Sequence, residues 1–153
     1  MLDFFEKIVC INLDERNDRW ASVQREFVRA ELGNRVERFS AIKNALGHIG
    51  CRDSHLAVIQ SAKQNDLGNI LILEDDIVFS DDCVEYLKQA LIEIEQFKEW
   101  HILYLGANVD PGCTHLKKVS PTLVQTDFAL ATHAYLINSS AFTQIIDLSL
   151  IHI

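Results

Sequence analysis

Three things are missing from this 153-residue chain: closely spaced cysteines, an excess of positive charge, and a long apolar run. Cys10, Cys51, Cys83 and Cys113 stand far apart with no CxxC pair, so their spacing suggests neither a zinc site nor a disulfide framework. Cys10 lies inside an apolar stretch, where a thiol is usually a small buried hydrophobe. A formal net charge of -8 argues against a general polyanion-binding surface, and so against nucleic acid as a partner. It leaves room for one small basic pocket that takes a phosphate. No segment approaches the length of a membrane-spanning helix, and residues 1–6 are too polar for a signal peptide, so the expected location is cytoplasmic. With 48% hydrophobic residues and no repeat, low-complexity tract or linker, the chain reads as one globular domain.

What is present is concentrated at Asn69-Ile70-Leu71-Ile72-Leu73-Glu74-Asp75-Asp76. Four aliphatic residues run straight into three acids, behind a Gly68-Asn69 break. Such a run predicts a buried strand of a parallel sheet. Its carboxyl end is the rim where open α/β sheets bind ligands. Two like charges about 4 Å apart repel by roughly 1 kcal/mol in water and about 4 kcal/mol at an effective dielectric near 20. A hard divalent cation relieves that repulsion and prefers oxygen ligands. The plain alternative is a solvated acidic turn that caps a strand.

The rest of the chain alternates in the manner of an α/β fold with a mostly parallel sheet flanked by helices. Strands are predicted at Lys7 to Leu13, Val36 to Ile42, Ile70 to Leu73, His101 to Leu105 and Ala129 to Ile137. Trp20, Val23, Phe27 and Ala30 recur at helical spacing up to a Gly33-Asn34 stop. Further helices are predicted at about Arg52 to Asn65, about Asp82 to Phe97, and from a Ser139 or Ser140 cap through Ile146. Asn44 to Gly50 and Asn108 to Pro121 read as loops.

Several polar groups fall at element ends. Arg16 and Arg19 sit about one turn apart at a strand-to-helix junction, a place suited to phosphate, with polar Asn12 inside the strand. Alternatively they pair with Glu15 and Asp18 on the surface. Ser54 and His55 are adjacent on a helix, so they point apart and form no catalytic dyad; Asp53 or Ser54 is a candidate cap. Gly106 reads as a tight turn permitting close backbone approach. His133 and Tyr135 share a strand face, with core packing the expected role of Tyr135.

Taken in order, INLDERNDRW, the strand around Arg38 to Ile42, IGCRDSHLAVIQ, ILILEDDIVF, WHILYLG and HAYLINSSAF resemble glycosyltransferase family 25. These are lipooligosaccharide-biosynthesis enzymes related to the procollagen galactosyltransferases. The resemblance covers about Lys7 to Ile146. It implies a GT-A-like, Rossmann-type fold and transfer of a sugar, often galactose, from a UDP-sugar to a lipooligosaccharide or other glycan. It assigns Asn12, Arg16, Arg19, Ser54, His55, Glu74 and Asp75 to the donor side. Asp76, with Glu74, is assigned to a bound Mn²⁺ or Mg²⁺. Such an acceptor implies at most a peripheral association with the inner face of a membrane.

Residues 148–153 resemble the in-frame translation of a sequencing adapter, so residues 1–147 are expected to be the amino-terminal part of a catalytic domain. The catalytic base is then expected beyond this chain, and the chain as written to transfer nothing. A nucleotide- or glycan-binding module without transfer is the alternative function. A phosphoacceptor receiver domain, which also has an acidic strand end, would need an aspartate ending a later strand. Here those strands end in Gly106 and Asn138.

Overall fold

The computed structural model describes residues 2–108, 115–127 and 129–151. Each predicted apolar run is a strand, and the amphipathic stretches between them are helices. In chain order these are β1 (Lys7–Asn12), α1 (Asn17–Arg29), β2 (Val36–Ser40), α2 (Gly47–Gln64), β3 (Asn69–Glu74), α3 (Cys83–Ile94), β4 (Ile102–Asn108), β5 (Leu116–Lys118), β6 (Val124–Thr126), β7 (Leu130–Asn138) and α4 (Ser139–Ile151). The main sheet has the order β2-β1-β3-β7-β4. β2, β1 and β3 pair in parallel, while β7 runs antiparallel to both β3 and β4. β4 therefore points the same way as β1 to β3, and only β7 is reversed. This is the expected Rossmann-type α/β sheet flanked by helices. β5 and β6 form a separate small hairpin.

The period-2 alternation of the strands divides the core in two. Ile8, Cys10, Leu71 and Leu73 pack with Val23 and Phe27 of α1 and with Leu87 and Leu91 of α3. Val9, Ile11, Ile70 and Ile72 pack on the other face with Val58 and Ile59 of α2 and Phe142 of α4. Cys10 is wholly buried, as expected, and burial pushes its thiol up to about 12. No helix among the described residues is long and apolar enough to cross a membrane.

Five expectations need correction. α2 begins at Gly47, not near Arg52. Its first turn is held by Asn44, whose side-chain oxygen accepts the Leu46 N–H. Gly50 admits a close approach: a Cβ there would stand 2.5 Å from the Ile42 carbonyl oxygen. Ser54 is consequently mid-helix and fully buried, and neither it nor Asp53 caps anything. β4 continues through Gly106, where the pairing with β7 is irregular, so this glycine marks a bulge and not a turn. At the last helix, Asn138 Oδ1 accepts the Ser140 N–H in place of a serine cap, and helix continues to Ile151. The loop predicted from 108 to 121 contains β5, and its residues 109–114 lie outside the described ones.

Candidate functional site

The alternation that divides the core also divides the acidic triplet. Glu74 follows Ile72 on the α2 side, and Asp75 follows Leu73 on the α1 side. Each carboxylate therefore meets a different set of partners.

On the α1 side, Asn12 stands at the end of β1 and is 1% exposed. Its amide donates to Asp75 Oδ2 at 2.6 Å and to the Arg16 carbonyl at 3.2 Å. Arg19 reaches back from the first turn of α1 to Asp75 Oδ1 at 3.0 Å and Asp76 Oδ2 at 3.5 Å. A charge-assisted pair on one oxygen and a short amide bond on the other fix Asp75, leaving it 12% exposed. Arg16 makes the surface pairing foreseen as its alternative. Its guanidinium forks onto Asp18 at 2.8 and 2.9 Å and holds that carboxyl well below the usual range. Lys43 is ion-paired with Glu15.

On the α2 side, His55 is 8% exposed, with Nδ1 2.7 Å from the Tyr135 hydroxyl and Nε2 3.4 Å from Glu74 Oε1. Burial, then Tyr104, Glu74 and Cys51, push the Tyr135 phenol far up, so it remains a neutral hydroxyl. Ser54 borders the cleft but is fully buried, and the backbone occupies its hydroxyl. Its hydroxyl accepts the Ile42 N–H at 2.8 Å and donates to the Gly50 carbonyl at 2.6 Å. It fastens the segment after β2 to α2 and so shapes the wall of the cleft.

Two groups enter that sequence reasoning did not place. In β7, Ala134 pairs with Leu73 and Tyr135 with Ile72, which sets His133 beside Glu74. His133 Nδ1 lies 3.7 Å from Glu74 Oε2 and 3.8 Å from Asp76 Oδ1. Cys51 lies one turn before His55 on α2, close to Glu74. The shared face of His133 and Tyr135 was legible, but the pairing of β7 with β3 was not.

These elements enclose a cleft of about 300 Å³ on the carboxyl rim of β1 and β3, lined by Asn12, Arg16, Arg19, His55, Glu74 and Asp75 among others. That volume is at the lower end of small-molecule sites. Asn12, Arg16, Arg19 and the acidic triplet thus share one rim, and Ser54 and His55 border the same cleft.

The family model described as glycosyltransferase family 25 (LPS biosynthesis protein) matches residues 44–150, well over half the sequence. The chain belongs to glycosyltransferase family 25. Among its relatives, human procollagen galactosyltransferase 2 is 23% identical over 88% of this chain and 26% of that protein. The bovine probable inactive glycosyltransferase 25 family member 3 is 29% identical over 60% of this chain and 16% of that protein. Its rat counterpart is 28% identical over 58% and 16%. The chain therefore spans about a quarter or less of the length of these curated relatives. As a member of family 25, it carries the acidic strand end and the Ser54-His55 pair inside the matched region, and Asn12, Arg16 and Arg19 before it.

Proposed function

We propose that this family 25 protein works as a glycosyltransferase, moving a sugar from a UDP-sugar donor to a glycan acceptor. The observation that carries the reading is the convergence of Glu74 and Asp75 with Asn12, Arg19 and His55 in one rim cleft, with Asp76 beside it in reach of Arg19. Galactose as the sugar is supported by the name of the human relative, and a lipooligosaccharide acceptor by the description of the family.

A divalent cation fits the residues present. Glu74, Asp76 and His133 each offer a ligand atom within 4.8 Å of the others. Two carboxylates suit Mg²⁺ or Mn²⁺, and the added imidazole favours Mn²⁺. Such an ion would supply positive charge for the diphosphate that departs when the sugar is transferred. Asp75, locked by Asn12 and Arg19, is fixed to accept hydrogen bonds from the ribose or sugar. Arg16, Arg19 and Lys43 supply the cationic rim, and each is paired with a carboxylate here. A diphosphate must therefore compete with those carboxylates, which sets an electrostatic cost on binding any anion of lower charge.

A binding module without transfer is the second reading, supported by the two relatives named inactive. Calorimetry with UDP, with and without Mn²⁺, tests the site. Tight binding should require the metal and disappear in Asp76→Asn; equal binding without the metal contradicts Asp76 as a ligand. A UDP-release assay with a glycan acceptor, run on the protein extended to the length of these relatives, separates the two readings, because a binding module holds UDP-sugar without turnover.

A further inference from the structure

We infer that Cys51, His55 and Glu74 form a second metal site, selective for Zn²⁺ and similar thiophilic cations, on the α2 wall of the cleft. The thiol, the imidazole and a carboxylate oxygen lie within 4.8 Å of one another. Cys51 and His55 are four residues apart on α2, so both side chains leave the same helix face, and β3 delivers Glu74 opposite them.

Distances support the set. Zinc holds sulfur, nitrogen and oxygen at about 2.0–2.3 Å, which in a tetrahedron separates ligand atoms by about 3.3–3.8 Å. His55 Nε2 and Glu74 Oε1 are already 3.4 Å apart. Cys51 is exposed, so its short side chain has room to close the remaining gap. The second, independent observation is His55 itself. The residue is more than nine-tenths buried, and Nε2 makes no hydrogen bond among the described residues. Buried and facing the Glu74 carboxylate at 3.4 Å, this nitrogen is placed to share a cation with it. When Nδ1–H donates to the Tyr135 hydroxyl, the Nε2 lone pair faces Glu74 and Cys51; histidine ligands are characteristically oriented this way from behind.

The ligand set distinguishes this site from the one assigned to the donor. A thiolate selects zinc-like cations over Mg²⁺ or Mn²⁺. Three protein ligands leave the fourth position open, and all three line the cleft. Glu74 turns Oε1 to His55 and Oε2 to His133, so one carboxylate serves both groups. A cation held by Cys51 draws on the same side chain that the donor-side ion needs.

Cobalt titration of the whole chain tests the inference through the metal alone, with no activity measured. Co²⁺ should bind with a near-ultraviolet thiolate-to-cobalt charge-transfer band, and Zn²⁺ should displace it. The band should vanish in Cys51→Ser and persist in Cys83→Ser and Asp76→Asn. Tyr135→Phe should retain it at about 10–100-fold weaker affinity. Circular dichroism confirms that each variant is folded. Absence of the band in the folded wild type, its survival in Cys51→Ser, or its loss in Asp76→Asn overturns the assignment.

Discussion

Replacing Gly50 with alanine separates two effects that the structure sets against each other. In the interior of a helix, Gly to Ala gains about 0.8–1.0 kcal/mol of propensity. At Gly50, however, the new methyl would meet the Ile42 carbonyl oxygen at 2.5 Å, the Asn44 nitrogen at 3.1 Å and the Asn44 Cβ at 3.3 Å. Two of these three atoms are backbone and cannot rotate away. Forcing a methyl into such a contact costs about 1–3 kcal/mol. Gly47, one turn earlier on the same helix, has nothing within 4 Å of its would-be Cβ. Gly47→Ala should therefore be neutral or stabilising, while Gly50→Ala should be destabilising by about 1 kcal/mol. In the comparison the propensity gain largely cancels, leaving a difference near the overpacking cost of about 1–3 kcal/mol. At about 2–4 °C per kcal/mol for a chain of this size, Gly50→Ala should melt roughly 2–12 °C below Gly47→Ala. Urea and thermal unfolding followed by circular dichroism give both numbers. Because the 42–44 segment is a wall of the cleft, Gly50→Ala should also weaken UDP binding. Equal stability of the two variants would refute the argument that a glycine is needed there for backbone approach.

Three further outcomes are expected. Burial alone would raise the Glu93 carboxyl, but the Ser120 and Thr122 hydroxyls, the Gln89 amide and the Thr122 N–H hold it down to about 2. A depressed carboxylate stabilises the fold above its unfolded pKa of about 4.3 and loses that contribution as pH falls towards 2. Urea midpoints of Glu93→Gln should accordingly fall less steeply than those of the wild type across that window, and identical slopes would count against the clamp. Tyr135→Phe removes the hydroxyl from a buried His55 nitrogen and should cost about 1–3 kcal/mol in unfolding measurements; no loss would mean the contact is not formed. Iodoacetamide applied to the native protein should leave Cys10 unmodified while alkylating exposed Cys51, as read by peptide mass spectrometry. Modification of Cys10 before global unfolding would show that its strand opens.

The sequence shows the strands clearly because their aliphatic runs admit no other burial. Ile70 to Leu73 is buried on both faces, and only a central strand can be so apolar. The acidic rim and the partnership of Asn12 and Arg19 with it follow from parallel β1 and β3 ending together. Three things were hidden. The start of α2 depended on a close contact between Gly50 and a segment ahead of it in the chain, which local glycine preferences misrepresent. The hydroxyl of Ser54 gave no local sign that the backbone would consume it. Most of all, the reversal and insertion of β7 decide that His133 meets Glu74. A period-2 pattern reports which face a residue takes, but not which neighbour stands across from it.

That insertion also orders events in time. β7 lies between β3 and β4, although it is made after both of them. Among the described residues, β4 has no strand partner other than β7. A growing chain that has emitted β4 must therefore keep it waiting, with one edge of β3 bare, until more than 20 further residues arrive. Pairings this distant in sequence are slow, and bare apolar edges are prone to stray association. The final strand to dock carries His133 and Tyr135, so pulsed hydrogen exchange should show β4 and β7 gaining protection together. The rim would then be finished last, and a chain caught short of that step would have its sheet half-built and its chemistry unassembled.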